Sequence, residues 1–344
     1  MTRGVVVGKF YPFHKGHAYL IETAKAEVDQ LIVLVCDKSD QIFTGEERAL
    51  WIREAFPDVD VRVMRDIMND DDSELWARYT IHFLGFRPDV VFTSEDYGAP
   101  WAKYLKCRHV LVDQPRNTIP ISATKVRKHP LHEWQYLSEP VRARIVRRVA
   151  IMGAESTGTT TLARDLAKHY DTVWAPEFGR FYSEGKITGD SSWKTREFRY
   201  IADMQNKLED ALARQAEKVL FCDTNAFATR LWHERYMGYM DRGVEEFSKW
   251  REYDAVIVTS PDIPFEDDGL RDGEHIRHAM HKRFLALLQE EGIEYILVEG
   301  TRKNRLAEAK RVVDTLLKQD GDIFESLPKR VSRDELTIAY ENVL

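Results

Sequence analysis

Short apolar runs alternate with longer amphipathic stretches along the first half of the chain. The runs are rich in Val and Ile and almost continuously hydrophobic, which is typical of parallel strands that are buried on both faces. The stretches between them have the spacing of amphipathic helices, so the alternation predicts an α/β fold with a doubly wound parallel sheet. The predicted strands are residues 4–10, 30–37, 59–67, 88–94 and 108–113, and the predicted helices are residues 17–27, 46–55 and 72–84.

A second series of strands and helices begins near residue 147. An Arg-rich segment, residues 140–148, precedes its first strand, so we place a domain boundary near residue 145. The sequence therefore predicts two doubly wound parallel-sheet domains, residues 1–145 and 146–344. The predicted strands of the second domain are residues 148–152, 219–223, 255–259 and 295–298, and its predicted helices are residues 160–170, 197–217 and 275–290.

The composition narrows the class of protein. The 344 residues are 43% hydrophobic and 31% charged, which suits two domains with ordinary cores. A net charge of −7 does not indicate a basic DNA-binding surface, so no DNA partner is expected. No apolar run approaches the roughly 20 residues of a membrane span, and the N-terminus has no signal-peptide core. The three cysteines, Cys36, Cys107 and Cys222, lie far apart in sequence, which favours a reduced, cytoplasmic protein.

The segment after the first predicted strand has the features of a phosphate-binding site. Gly8 and Gly16 allow the backbone to approach a phosphate chain, and the helix that starts near Gly16 presents free N–H groups to an anion. His14 and His17 are three residues apart, so both imidazoles can face one side of the helix entry and donate hydrogen bonds to phosphate oxygens. A single histidine is usually structural. Two His and two Gly together predict a nucleotidyl-transfer site, where the reactants must be aligned and the oxyanion charge neutralised.

A second element of the same kind follows the fifth predicted strand. Ser122 and Thr124 are natural helix caps whose hydroxyls suit phosphates, and Arg127 lies one turn further on with a bidentate guanidinium. By itself this spacing also fits a simple helix cap. Its combination with His14 and His17 at the start of the same predicted sheet favours a second clamp on a nucleotide.

These two elements resemble the signature of the nucleotidylyltransferase superfamily, HxGH followed by ISxTxxR. The surrounding residues resemble nicotinamide-mononucleotide (NMN) adenylyltransferases of the archaeal and NadR-like type. The resemblance implies a Rossmann-like domain in which His14, His17 and Arg127 stabilise the transferring phosphoryl group. It also implies that Ser122 and Thr124 hold the triphosphate of ATP.

Further substrate contacts are implied by the same resemblance. Residues 43–48 resemble an FTxxER stretch of the family, and residues 66–76 resemble the stretch that places an aromatic side chain near the nicotinamide ring. Trp76 also fits a position on a core-facing side of a helix. The further residues assigned to substrate or ATP binding are Gly8, Phe10, Lys15, Arg48 and Trp76.

The first strand of the second domain leads into a loop with the spacing of a nucleotide-binding P-loop, in which Gly153, Gly158 and Thr160 precede an amphipathic helix. The lysine that normally reaches the β- and γ-phosphates is absent, because position 159 is Thr. The backbone and a Thr160–Mg²⁺ contact are still expected to bind ATP, but loss of one electrostatic donor typically slows transfer on the order of 10²–10³-fold. The residues predicted to bind ATP here are Gly153, Glu155, Ser156, Thr157, Gly158, Thr159, Thr160 and Thr161.

Other charged residues of the second domain fit a small-molecule kinase. Asp223 ends a predicted strand and suits Mg²⁺, although it also fits a strand-end cap. Glu177 and Arg180 follow a short apolar run and offer a carboxylate and a cation together. Arg271 lies in a polar loop that fits either a lid or a solvated loop. The residues considered as substitutes for the missing lysine are Arg180, Lys194, Arg271 and Arg277.

Over nearly the whole chain, the order of these motifs resembles the bifunctional NadR-type proteins. In that family the C-terminal domain is a ribosylnicotinamide kinase, so the resemblance implies ATP, Mg²⁺, nicotinamide riboside and NMN as ligands. Glu177 and Asp223 would then contact the riboside and Mg²⁺. Some members carry an N-terminal helix-turn-helix domain, for which a first strand at residue 4 leaves no room. A homo-oligomer is expected by resemblance only.

Three alternatives stay open at this point. The HxGH signature alone permits an adenylyl- or cytidylyltransferase that acts on another phosphorylated acceptor, such as phosphopantetheine. The second domain is either a kinase in which another cation replaces the lysine, or a weakened domain that binds a nucleotide or riboside as a regulator. A non-enzymatic metabolite sensor or transcriptional regulator would need a basic surface or a DNA-binding motif, and the sequence shows neither.

Overall fold

Two five-stranded sheets form the framework of the described chain. The computed structural model describes residues 1–67, 72–186, 192–249, 251–266, 273–321 and 324. Within these residues the chain divides into two units, Met1–Val141 and Arg142–Gln319, and Asp320, Gly321 and Phe324 group with the first unit. The predicted architecture of two α/β sheets is confirmed.

The first sheet is wholly parallel, as the sequence predicts. Its strands are β1 (Arg3–Gly8), β2 (Gln30–Asp37), β3 (Asp60–Arg65), β4 (Val90–Thr93) and β5 (Arg108–Leu111). Their order in the sheet is β3-β2-β1-β4-β5, and each neighbouring pair is parallel. The order reverses between β1 and β4, so the carboxyl ends of these two strands form a topological switch point, where open α/β sheets bind ligands.

Burial explains why the strand signal is a continuous apolar run rather than an alternation. Six consecutive residues of β2 and all four residues of β4 are buried, because helices cover both faces of the sheet. The helices of this part of the chain are α1 (Lys15–Ala26), α2 (Gly45–Ala55), α3 (Ser73–Leu84), α4 (Gly98–Leu105), α5 (Ala123–Lys128) and α6 (Glu139–Ile145). The division between the units falls within α6, and the predicted boundary near residue 145 lies in the same helix.

The second sheet is also parallel throughout. Its strands are β6 (Arg147–Met152), β7 (Trp174–Ala175), β8 (Val219–Asp223), β9 (Ala255–Thr259) and β10 (Ile296–Val298). The order is β10-β9-β6-β8-β7, with β6 buried at every residue in the centre. The strand β7 is absent from the prediction because two residues at a sheet edge leave no periodic signal.

Helices cover both faces of the second sheet and form two apolar cores with it. One core joins β6 to α7 and α13, and the other joins the opposite face to α10 and α12. Among the described residues, no helix combines the length and apolar composition that a bilayer span requires. The helices are α7 (Thr159–His169), α8 (Phe178–Lys186), α9 (Thr195–Ala213), α10 (Ala226–Met237), α11 (Arg242–Ser248), α12 (Glu274–Glu290) and α13 (Arg302–Lys318).

The chain returns to the first unit after α13. The Asp320 carboxylate accepts a hydrogen bond of 2.6 Å from the Leu131 N–H. Phe324 is buried, and its ring centroid lies 5.4 Å from that of Phe43 and 6.5 Å from that of Tyr11. The sequence prediction assigned everything after the boundary to the second domain, whereas these residues complete the first.

Candidate active sites

The first cavity lies at the carboxyl edge of the first sheet and has a volume of about 760 Å³. It is lined by the segments that follow β1, β4 and β5 and by the first turns of α1 and α5. This volume is in the range of cavities that bind small molecules and cofactors. The predicted site residues that line it are Gly8, Phe10, His14, His17, Trp76, Ser122, Thr124 and Arg127.

A hydrogen bond in the segment after β1 sets the orientation of His14. His14 is the N-cap of α1, and its Nδ1 accepts a hydrogen bond of 3.3 Å from the His17 backbone N–H. A neutral imidazole carries one N–H, so an accepting Nδ1 leaves the proton on Nε2. That Nε2 is buried and makes no hydrogen bond within the described part of the chain. His14 therefore lines the cavity with an uncommitted N–H donor.

Burial keeps both imidazoles neutral near pH 7. The His14 and His17 rings stack with their centroids 3.6 Å apart. Burial, together with the nearby charges of Arg116 and Arg127, lowers the pKa of His14 to about 3. Burial also holds the pKa of His17 well below its ordinary value, and His14 and Arg116 add to this effect. The histidines can therefore act as hydrogen-bond donors, while the positive charge of the lining comes from Lys9, Lys38, Arg116 and Arg127.

Arg127 connects the two predicted phosphate-binding elements. Its Nη1 donates a hydrogen bond of 2.5 Å to the carbonyl oxygen of Tyr11, and its Nη2 donates one of 3.2 Å to Oγ1 of Thr124. The guanidinium also lies 5.5 Å from the centroid of the Tyr11 ring, within the range of a cation–π contact. The structure thus brings the segment after β1 and the start of α5 to one cavity.

Arg116 is a cavity residue that the sequence interpretation missed. It lies in the loop after β5, where its backbone has a left-handed φ of 54°. Its Nη2 is 3.3 Å from Oε1 of Glu95, and its charge lowers the pKa of both His14 and His17. Its position in an irregular loop leaves no periodic signal by which the sequence could have identified it.

Two predicted ligand-binding residues do not line the cavity. Lys15 is exposed at the start of α1. Arg48 is fully buried, and its guanidinium pairs with Asp37 at 2.9 Å. The same guanidinium joins the segment after β1 to the end of β2 and the start of α2, because it donates hydrogen bonds to the carbonyl oxygens of Lys9, Cys36, Phe43 and Thr44.

Trp76 both packs against the core and lines the first cavity. It packs against the core of the first sheet and its ring centroid lies 6.2 Å from that of Tyr79. It also lines the first cavity together with Asp66, which directly follows β3. A planar apolar surface is therefore available to a ligand in this cavity.

The second cavity lies at the carboxyl edge of the second sheet and has a volume of about 290 Å³. Thr157 is a predicted loop residue that does not line it: its Oγ1 donates to the Ala154 carbonyl oxygen at 2.7 Å and accepts from Thr259. Asp223 lies against Thr160 rather than in the lining itself. The predicted residues that do line it are Gly153, Glu155, Ser156, Gly158, Thr159, Thr160, Thr161, Glu177 and Arg180.

The loop between β6 and α7 has the backbone of a phosphate-binding nest. Ser156 and Gly158 have left-handed φ angles of 57° and 85°. A Cβ atom on Gly153 would lie 2.4 Å from Oγ1 of Thr259, so only glycine fits there. Gly158 caps α7 without a side-chain hydrogen bond, which leaves the first N–H groups of this 11-residue helix available to an anion.

Two buried arginines support this loop from behind. Arg277 donates a hydrogen bond of 3.0 Å to the Ser156 carbonyl oxygen, and Arg305 donates to that of Thr157. Arg277 and Lys194, which the sequence offered as substitutes for the missing lysine, do not line the cavity. Arg271 lies outside the described residues.

The pair Thr160 and Asp223 fits Mg²⁺. The Thr160 Oγ1 donates a hydrogen bond of 2.6 Å to Oδ2 of Asp223, and the buried Oδ1 makes no hydrogen bond among the described residues. Burial raises the pKa of Asp223, against hydrogen bonds from Thr160 and Thr159 that lower it. Among the described residues, no cluster of three or more His, Cys, Asp or Glu is arranged to bind a metal. An ion held by this pair would therefore complete its coordination with phosphate oxygens and water.

An aromatic wall forms the other side of the second cavity and was not predicted from the sequence. The ring centroids of Trp193 and Phe198 are 5.0 Å apart, and those of Trp193 and Tyr236 are 5.4 Å apart. Gln205 lies nearby, and its Oε1 accepts a hydrogen bond from the Phe178 N–H at the start of α8. The wall consists of Trp193, Phe198, Trp232 and Tyr236.

Two family models match separate parts of the chain, one in each unit. A cytidylyltransferase-like family model matches residues 5–129, and an AAA-domain model matches residues 148–305. The trifunctional NAD biosynthesis/regulator protein NadR of Escherichia coli strain K12 is 31% identical over 325 residues, which cover 87% of this chain and 79% of that protein. A nicotinamide-nucleotide adenylyltransferase of Methanococcus maripaludis is 26% identical over 179 residues, which cover 49% of this chain and 98% of that protein.

A solved structure has the same fold over nearly the full length. The crystal structure of a NadR protein in complex with NR superposes with a TM-score of 0.76 at 23% sequence identity. The superposition covers 96% of this chain and 98% of that one. Both sheets and their order along the chain are therefore shared with a protein of known structure.

Replacing His14 should change how stability depends on pH. As the pH falls from 6.5 towards 3, the unfolded chain binds a proton that the folded chain excludes from His14, so the free energy of unfolding falls. His14→Asn keeps an N-cap acceptor for the His17 N–H and removes this proton site. We expect its loss of unfolding free energy between pH 7 and pH 5 to be smaller by about 2 kcal/mol than that of the parent, measured by urea unfolding. His82→Asn, at an exposed position, should follow the parent, and equal pH dependence of all three proteins would contradict the prediction.

Removing Arg48 should destabilise the first unit. Arg48→Met keeps the length of the side chain but leaves Asp37 and several buried carbonyl oxygens without their donor, which should lower the free energy of unfolding by about 3 kcal/mol. Arg78→Met removes an exposed arginine of α3 and should change it by less than about 0.5 kcal/mol. Denaturant unfolding measures the free energy of unfolding of each variant. Similar values for the two variants would show that Arg48 does not hold the segment after β1 in place.

Proposed function

The chain belongs to the NadR family, and we propose that its two units carry out two consecutive steps of NAD synthesis. The first unit is a nicotinamide-nucleotide adenylyltransferase, which transfers AMP from ATP to NMN and yields NAD and pyrophosphate. The observation that carries its proposed mechanism is the uncommitted Nε2–H of His14, which shares one cavity with Arg127, Ser122 and Trp76.

Adenylyl transfer needs an aligned nucleophile and a site that stabilises charge on the α-phosphate. A phosphate oxygen of NMN attacks the α-phosphorus of ATP, and the bond from that phosphorus to the bridging oxygen of the β-phosphate breaks, so that pyrophosphate leaves. His14 and His17 donate hydrogen bonds to the α-phosphate, while Arg127 and Arg116 supply positive charge to the pyrophosphate. No proton has to move in this step, so neutral imidazoles are sufficient.

Trp76 supports NMN as the acceptor. Its indole lines the cavity and offers a planar surface on which the nicotinamide ring can stack. A phosphopantetheine acceptor has no planar ring to use this surface. The cavity of about 760 Å³ also leaves room for ATP and the acceptor to lie side by side.

The second unit is proposed to phosphorylate nicotinamide riboside. The loop before α7 binds the triphosphate of ATP through its backbone N–H groups, and Thr160 and Asp223 hold Mg²⁺, which neutralises phosphate charge when bound. The 5′-hydroxyl oxygen of the riboside attacks the γ-phosphorus, the bond from that phosphorus to ADP breaks, and the hydroxyl proton passes to Glu177. The aromatic wall binds the nicotinamide ring. The product is NMN, which is the acceptor in the first unit.

Three further assignments concern the surroundings of the protein. Cys36, Cys107 and Cys222 are free, and we place the protein in the cytoplasm, where thiols stay reduced. The expected homo-oligomer stays a prediction, as does the expectation that DNA is not a partner.

The first activity is tested by supplying NMN, ATP and Mg²⁺ and measuring NAD and pyrophosphate. His17→Ala should lower kcat on the order of 10²–10³-fold, because one donor to the transition state is lost. Its thermal midpoint should match that of Lys103→Ala, which changes an exposed residue of α4 outside the cavity and should keep full activity. Failure of the parent protein to form NAD would refute the assignment of the first unit.

The second activity is tested by supplying nicotinamide riboside, ATP and Mg²⁺ and measuring NMN. Thr160→Val removes the hydroxyl beside Asp223 and should lower riboside phosphorylation at least about 10²-fold, while NAD formation from NMN stays unchanged. If the parent binds riboside in calorimetry but forms no NMN, the second unit is a riboside-binding regulator rather than a kinase.

A further inference from the structure

The loop between β6 and α7 places no positively charged side chain in the second cavity, because position 159 is Thr. Thr159 is the first residue of α7 and lines the cavity, where a P-loop normally places lysine. Its side chain is uncharged, and its hydroxyl contributes a hydrogen bond to Asp223. A γ-phosphate bound here would need positive charge from a residue outside the loop.

Arg277 and Arg305 already donate hydrogen bonds to backbone carbonyl oxygens of the loop. Arg277 is 1% exposed and donates to the Ser156 carbonyl oxygen, and Arg305 donates to the carbonyl oxygens of Thr157 and Ser260. Moving either guanidinium towards a phosphate would leave buried carbonyl oxygens without a hydrogen-bond donor, which is unfavourable. These arginines hold the shape of the loop and do not replace its lysine.

Arg180 differs from these arginines because it lines the cavity and its side chain is partly exposed. Among the described residues that line the second cavity, it is the one that carries a positive charge. Its ion pair with Glu184 spans 3.3 Å between side chains that are 42% and 49% exposed. Exposed pairs of this kind are weak, whereas an arginine–phosphate pair makes stronger, charge-assisted hydrogen bonds. A phosphate bound in the cavity would therefore compete well with Glu184 for the Arg180 guanidinium.

A buried hydrogen-bond network fixes the helix that carries Arg180. The Phe178 N–H at the start of α8 donates to Oε1 of Gln205 at 2.8 Å. Gln205 in turn donates to Glu209, whose buried carboxylate also accepts a hydrogen bond of 2.9 Å from the Tyr253 hydroxyl. The first turn of α8 is thus held from the core.

We propose that Arg180 takes the place of the missing P-loop lysine and binds the γ-phosphate of ATP. This role rests on the proposed riboside kinase function of the second unit. While the bond from the 5′-oxygen of the riboside to the γ-phosphorus forms and the bond to ADP breaks, the guanidinium neutralises charge on the transferring phosphoryl oxygens. Its planar fork can donate two parallel hydrogen bonds to one phosphate group, a geometry that a lysine ammonium does not offer.

The test combines loss at position 180 with restoration at position 159. Arg180→Met should lower kcat for riboside phosphorylation on the order of 10²–10³-fold. The double variant Arg180→Met/Thr159→Lys should have a kcat at least about 10-fold higher than that of Arg180→Met. In the parent background, Thr159→Lys alone should raise kcat by less than about 10-fold. Arg196→Met, at an exposed position of α9 outside the cavity, should keep the parent's kcat.

Nucleotide binding separates a phosphate contact from a structural role. Arg180→Met should weaken the binding of ATP but leave the affinity for ADP unchanged, because only ATP carries the γ-phosphate. Full kinase activity of Arg180→Met, or no restoration by Thr159→Lys, would overturn the role of Arg180 while leaving the kinase function intact. Absence of riboside phosphorylation in the parent would refute the kinase function and the role of Arg180 together. Loss of activity in Arg271→Met but not in Arg180→Met would assign the cation to Arg271 instead.

Discussion

The hydrogen bond from the His17 N–H to Nδ1 of His14 determines how the first site works. It caps α1, fixes the tautomer of a buried imidazole and leaves the Nε2 proton as a donor for the ligand. Because burial also excludes a second proton, the ring cannot supply charge, and the lysines and arginines of the lining are the groups that carry it. The position of the loop itself depends on Arg48 beneath it, whose donors join the segment after β1 to its neighbours. The donor that His14 offers to the cavity thus depends on its Nδ1 accepting a hydrogen bond and its Nε2 carrying the proton.

The two proposed sites would neutralise phosphate charge with different groups. In the first cavity, the groups available to a phosphate are side chains, among them the His14 and His17 imidazoles and the guanidiniums of Arg116 and Arg127. In the second, the groups available are the backbone N–H groups of the loop before α7. Arg277 and Arg305 donate to the carbonyl oxygens of Ser156 and Thr157, and a peptide unit whose oxygen accepts from a cation has a more polarised N–H. Buried arginines therefore strengthen the nest without touching the ligand.

Features that are local in sequence could be predicted, and features that depend on tertiary packing could not. The strands were predictable because their burial is continuous, and the phosphate-binding loops because their glycines and caps lie within ten residues of one another. The motifs that contain Arg48 and Lys15 do not show that the first is buried and the second exposed, since the packing of residues distant in sequence decides this. Arg116 lies in a loop without periodicity. The aromatic wall was missed because Trp193 and Trp232 come from segments that only the fold brings together.

The return of the chain at Asp320 makes the first unit discontinuous in sequence. A fragment that ends at residue 145 would lose the carboxylate that accepts from the Leu131 N–H and the Phe324 ring that packs on Phe43. An apolar surface would then face solvent, and such patches promote self-association. In the described part of the chain the second unit runs from Arg142 to Gln319, so a cut near residue 145 leaves Asp320 and Phe324 on the fragment that carries the second unit. Gene fission at that point would therefore separate the first unit from residues that pack against it.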